Sequence, residues 1–163
     1  MANKLEIILS FQVFSSAAEL PDDEQNLLKQ AQAATHYAYA PYSRFLVGAA
    51  LLSADGSVHL GNNQENAAYP SGLCAERTAL FGMRVNNPEK QIKKIAVTAR
   101  HAGSEDFVAA LPCGACRQVM AEYENQQEAP IAVLMQAENG QVYRCDSVST
   151  LLPLQFSKHS LGL

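Results

Sequence analysis

Three of the four cysteines in this 163-residue chain fall into two short motifs, Cys74-Ala75-Glu76-Arg77 and Pro112-Cys113-Gly114-Ala115-Cys116. Each motif stands where a helix is expected to open. Backbone N–H groups and the positive end of the helix dipole stabilise anions at such a position, so thiols there lose their protons more easily, and thiolates are what zinc binds. A structural zinc site is closed by four protein ligands, whereas a catalytic one keeps three and leaves a position for water, whose pKa falls from about 15.7 to about 7. Three cysteines match the second pattern. Glu76 follows the first candidate ligand by two residues, is not needed as a ligand, and is of a type that moves protons beside a metal. Three thiolates around a divalent ion leave a net negative charge. Arg77 can offset it by donating hydrogen bonds to the sulfurs, a contact that tunes the metal's acidity.

Taken alone, Cys113-x-x-Cys116 also fits a redox pair. With Cys74-x-Glu76 about forty residues upstream and Pro112 before the pair, the combination points to catalytic zinc. Cys145 falls on an expected strand and reads as a small buried hydrophobe. His36, His59, His101 and His159 have no partner at ligand spacing and read as surface or satisfied core residues.

The elements that must position these groups follow from periodicity. Leu5, Ile7, Leu9, Phe11 and Val13 alternate with mostly polar neighbours, predicting an extra strand with one buried face. Leu20-Pro21-Asp22-Asp23 is a helix start, and apolar residues at helical spacing predict a helix from about Asp22 to Tyr37, broken by Ala40-Pro41. Residues 46–52 and 57–60 flank Ala54-Asp55-Gly56 and predict an antiparallel hairpin. A helix over 74–83, a buried strand over 92–99 and a helix over 113–123 come next. A second hairpin pairs 131–135 with 142–145 around Glu138-Asn139-Gly140. Alternating helices and strands of this kind predict an α/β layered domain. Residues 1–20 are expected to form an extension packed on a domain spanning 21–163.

Apolar residues make up 48% of the chain and charged residues 17%, so it can bury a sizeable core. The net charge is −4, with 12 Lys and Arg scattered along the chain, which excludes a basic stripe for polynucleotide. No stretch approaches the roughly 20 apolar residues that span a bilayer, and Lys4, Glu6, Ser10 and Gln12 interrupt the N-terminal apolar run. A soluble protein of a reducing cytoplasm is expected, with no nucleic-acid or membrane partner.

At these motifs the sequence resembles the homotetrameric zinc-dependent cytidine deaminase family, whose signature is a ligand-x-Glu followed by Pro-Cys-x-x-Cys. The resemblance extends over roughly Leu27 to Phe156. It includes Ala40-Pro41-Tyr42-Ser43-Arg44-Phe45, Val47-Gly48-Ala49-Ala50-Leu51, the segment from Asn63 to Pro70, and Leu151-Leu152-Pro153-Leu154-Gln155-Phe156. It implies a three-layer α-β-α fold around a mixed five-stranded sheet, beyond which the N-terminal strand is an addition. It also implies one zinc per subunit on Cys74, Cys113 and Cys116, with Glu76 as catalytic residue and Arg77 behind the sulfurs. Phe45 would stack on the pyrimidine, Asn63 and Glu65 would bind the ribose 3′-hydroxyl, and Ala75 would contact the substrate. Tyr69 and Phe156 would complete a neighbouring subunit's site in a homotetramer. The implied reaction is hydrolysis of cytidine and deoxycytidine to uridine and deoxyuridine plus ammonia, a step of pyrimidine salvage. A cysteine rather than a histidine as first ligand leans toward free nucleosides in the wider superfamily. Gln64 stands where valine is usual in the family, and Leu111 where serine is usual.

Overall fold

A computed structural model describes residues 2–162. Seven strands and three α-helices follow in the order β1 (Gln12–Phe14), α1 (Asp22–Ala34), β2 (Phe45–Ser53), β3 (Val58–Asn62), α2 (Ala75–Asn86), β4 (Ile92–His101), β5 (Phe107–Val108), α3 (Gly114–Gln127), β6 (Ala132–Gln136) and β7 (Val142–Cys145). The sheet runs β1-β7-β6-β4-β2-β3, with β5 also on β4. All pairings are antiparallel except β4 with β6, which α3 connects as a crossover.

Side-chain alternation along the strands explains the layering. Ala50, Ala96 and Leu134 point to one face, where they meet Leu27, Leu28 and Ala31 of α1. Ala49, Leu51, Ile95, Val97, Val133 and Met135 point to the other, against Ala79, Leu80 and Met83 of α2 and Met120 and Ala121 of α3. The expected three layers are therefore present, around seven strands rather than five plus one. The unanticipated strand is β5, too short for periodicity to reveal. It occupies the edge of β4 at Ala99 and Arg100, beyond the residues that β6 covers.

The hairpins turn where the Asp-Gly and Asn-Gly steps lie. Gly56 has φ 84°, and Asn139 and Gly140 have φ 55° and 77°. The first helix stops at Ala34 and tightens into a 3-10 turn over Thr35–Tyr37, so it is one turn shorter than expected as an α-helix.

The N-terminal strand is present but covers only Gln12–Phe14 of the expected 5–13 stretch, paired with β7 in the register Gln12↔Arg144 and Phe14↔Val142. Its length is set by its partner. Beyond Cys145 the chain leaves the sheet, so residues before Gln12 find no ladder, and Leu5 and Ile8 are well exposed. Among the described residues no helix is long and apolar enough to cross a membrane.

Candidate metal centre and substrate pocket

Cys74 and Cys113 are the N-caps of α2 and α3, both with extended backbone, and Cys116 lies buried in the first turn of α3. What brings α2 to this place is a close approach on its other side. A Cβ on Gly61 of β3 would meet the carbonyl oxygen of Ala75 and the nitrogen of Ala79 at 2.4 Å, so only glycine lets the helix settle there.

The result is a group of three sulfurs within 4.8 Å of one another, with Cys113 Sγ 4.0 Å from Cys74 Sγ and 3.5 Å from Cys116 Sγ. Tetrahedral zinc with bonds of about 2.3 Å sets its sulfurs about 3.8 Å apart, so the group fits this ion. Cys145 lies elsewhere, buried on β7 opposite Val133, and adds no fourth sulfur.

The electrostatics suit a thiolate centre. A hydrogen bond from Cys116 and then the Arg77 guanidinium, whose Nη2 donates to Cys74 Sγ at 3.7 Å, bring the Cys74 thiol down to about 5. Cys116 is pushed up, first by holding the proton shared with Cys74 and then by burial. Nε of Arg77 is buried without a partner, which leaves the guanidinium oriented by the sulfurs. The Glu76 carboxyl is 4% exposed, and desolvation, reinforced by the negative charge on Cys74, raises its pKa. A carboxyl so placed holds its proton more readily than an exposed one.

In front of the sulfurs lies a pocket of about 700 Å³, walled by Phe45, Asn63, Glu65, Tyr69, Cys74 and Glu76 among others. That volume is in the range of sites that enclose a small organic ligand. Phe45 opens β2 and packs edge to face on His101, with centroids 5.4 Å apart. Asn63 is buried and bonds to β2 through both ends of its amide, donating to the Phe45 carbonyl and accepting from the Val47 N–H. Glu65 accepts from the N–H groups of Tyr42 and Ser43 through one oxygen, and its pKa is lowered, first by the Ser43 side chain and then by these N–H groups. Gln64 between them bridges backbone to Tyr39 and Leu73 and turns its side chain to Asn62.

Of the expected residues Tyr69 lines this pocket, whereas Ala75 and Phe156 do not. Tyr69 stands on its rim, 76% exposed and edge-on to Tyr42. Ala75 is buried behind the wall, and its carbonyl accepts from the Thr78 hydroxyl. Phe156 is exposed outside the pocket, its carbonyl bound by the Gln118 amide. Conversely, the hold of Tyr42 and Ser43 on Glu65 and the contact of His101 with Phe45 were not anticipated. The first depends on Arg44 adopting a left-handed φ of 56°, which no glycine announced. The second arises because Phe45 and His101 are cross-strand partners, a register visible only once β2 and β4 pair.

Fold and centre together define an enzyme of the α/β class, with three sulfurs that could hold a metal ion between two helix starts. The chain belongs to the family described as the cytidine and deoxycytidylate deaminase zinc-binding region, which matches residues 21–139. Among curated relatives, the cytidine deaminase of Sporosarcina psychrophila is 41% identical over 140 residues, covering 86% of this chain and 96% of that protein. That of Halalkalibacterium halodurans is 52% identical over 100 residues, covering 61% and 71%. Among solved structures, the Burkholderia pseudomallei cytidine deaminase superposes with a TM-score of 0.69 at 41% identity, covering 80% of this chain and 97% of its own. The Mycobacterium tuberculosis enzyme gives 0.64 at 32% identity, covering 83% and 98%.

Proposed function

We propose that this chain deaminates cytidine and deoxycytidine hydrolytically to uridine and deoxyuridine, with one zinc per subunit on Cys74, Cys113 and Cys116. The observation that carries the reading is the buried Glu76 carboxyl beside three convergent sulfurs at the floor of a nucleoside-sized pocket. The family and the names of its relatives support the same chemistry.

Zinc in this site supplies a Lewis acid and a water made acidic near neutral pH. Glu76, kept protonatable by its burial, would take a proton from the attacking water and deliver it to N3 of the base, then take the proton of the new C4 hydroxyl and deliver it to the departing amine. Phe45 offers a face to the pyrimidine. Glu65 accepts, and the second N–H of Asn63 donates, at the ribose 3′-hydroxyl. Arg77 offsets the charge of the sulfurs. Ala75 lies one layer back and acts through the helix start it builds.

Tyr69 and Phe156, both exposed in the isolated chain, are assigned to a neighbour's site in a homotetramer. The catalytic domain is assigned to residues 21–163, with residues 1–20 as an extension whose Gln12–Phe14 strand adds to the sheet edge. The place of action is the cytoplasm, and the substrate is a free nucleoside rather than a nucleotide or nucleic acid, in keeping with the scattered basic residues.

The test is the ultraviolet absorbance of cytidine, deoxycytidine, cytidine monophosphate and adenosine incubated with zinc-loaded protein. Conversion of the first two alone is the expected result. Well-folded, zinc-bearing protein that converts none of them would mean that the centre serves another substrate.

A further inference from the structure

Phe45, the residue proposed to stack on the base, opens β2 ahead of the Gly48↔Asn62 pair at which β3 begins to cover that strand. Its cross-strand neighbour therefore comes from β4, and it is His101. Just beyond this pair the N–H of Ala102 donates to the Arg44 carbonyl at 2.8 Å, which makes Phe45 and His101 a non-hydrogen-bonded pair, the kind whose side chains approach most closely. Their rings meet at 64° with centroids 5.4 Å apart, an arrangement in which the positive edge of one ring faces the negative face of the other.

The main chain is fixed on both sides of this contact. The Asn63 amide holds the Phe45 carbonyl and the Val47 N–H, and the Ser43 hydroxyl accepts from the Phe45 N–H at 3.0 Å. On β4, Arg100 turns to the opposite face, is buried, and donates from Nε to the Thr35 hydroxyl at 2.9 Å and from Nη1 to the Ser104 carbonyl at 2.8 Å. The freedom left to Phe45 is rotation of its side chain. Phe45 lines the substrate pocket, whereas His101 is exposed and stands outside the wall.

We propose that His101 is a positioning residue for the base: from outside the pocket it holds the Phe45 ring in the orientation that offers its free side to the pyrimidine. This rests on the cytidine reading above. A ring held in advance has less freedom to lose when the base arrives, and the gain is shared by substrate and transition state, so it is expressed in KM rather than in kcat.

The experiment compares steady-state rates on cytidine for zinc-loaded wild type, His101→Ala, His101→Phe, Phe45→Leu, and Phe45→Leu combined with His101→Ala. The expected result for His101→Ala is a KM about threefold to tenfold above wild type with kcat changed less than about twofold, the weight of one ordered aromatic contact. His101→Phe, which keeps a ring at the position, should bring KM back to within about twofold of wild type. In the Phe45→Leu background His101→Ala should raise KM no further, because the ring it acts through is gone. A KM unchanged in His101→Ala, a His101→Phe protein as impaired as His101→Ala, or an equal rise in both backgrounds would overturn the inference and leave the deaminase reading intact. No turnover of cytidine by the wild type would overturn both.

Discussion

The side-chain amide of Asn63 donates to the carbonyl of Phe45 at 2.9 Å, so the residue proposed to bind the sugar also fixes the strand that carries the residue proposed to stack on the base. The same amide accepts from Val47 N–H at 2.8 Å. Replacing Asn63 by Ala takes away the side-chain partner of two partly buried backbone groups of β2, at a cost of up to about 1–3 kcal/mol each where water cannot reach them. The expected outcome is a lower melting temperature together with a KM for cytidine raised at least about tenfold, from steady-state rates.

Glu76→Gln preserves shape and removes the exchangeable proton. The altered protein should keep its zinc, measured by atomic emission, while kcat falls by about 10²- to 10⁴-fold, the usual weight of a general acid–base group.

In metal-free protein the Cys74 thiol sits near 5, below its ordinary value. Because the folded-state pKa is depressed, the ionised thiol contributes stability that is complete above the unfolded thiol pKa and is lost as pH falls through about 5. A thiolate absorbance signal should therefore persist in the folded apoprotein well below neutrality. Arg77→Met should shift that titration upward, because Arg77 is among the groups that hold it down.

Gly61→Ala is a test of how α2 is seated. The added methyl would press on the backbone of Ala75 and Ala79, costing about 1–3 kcal/mol in overpacking. Since the residues displaced adjoin Cys74 and Glu76, zinc affinity and kcat should fall with stability, whereas Gly82→Ala, which meets no neighbour, should change neither.

If Phe156 serves a neighbour's site, Phe156→Ala and Glu76→Ala chains should each be poorly active alone. Refolded together, they should regain part of the wild-type rate, because mixed oligomers contain some sites with both residues intact. An absence of recovery in mixtures proved by mass to be hybrid would place Phe156 in its own chain's packing.

The parts of this protein that were legible in its sequence are those governed by local chemistry. Cys74 and Cys113 were placed at helix starts by the helix-forming runs after them, and both are N-caps. The two hairpins were fixed by Gly56 and by Asn139-Gly140. What could not be read depends on contacts distant along the chain. The shortened β1 is limited by the four residues of β7, and β5 exists because β4 is longer than β6. The anchoring of Glu65 needs a left-handed Arg44, whose sequence gives no sign of it. A separate cavity, lined by Leu9, Phe11 and Val13 of the extension with Met135 and Tyr143 of the sheet, requires the extension to return across the sheet.

That return also bears on the order in which the molecule is made. Gln12 finds Arg144 across 132 residues, through both a backbone register and a side-chain hydrogen bond. At ordinary synthesis rates β1 leaves the ribosome on the order of ten seconds before β7 does. During that interval an apolar segment bearing Leu9, Phe11 and Val13 has no strand to join, while α1, the first hairpin and α2 can already condense. The extension is thus synthesised early and docks late, and a nascent chain stalled before Val142 should bind holdase chaperones through it more strongly than a chain beginning at residue 21.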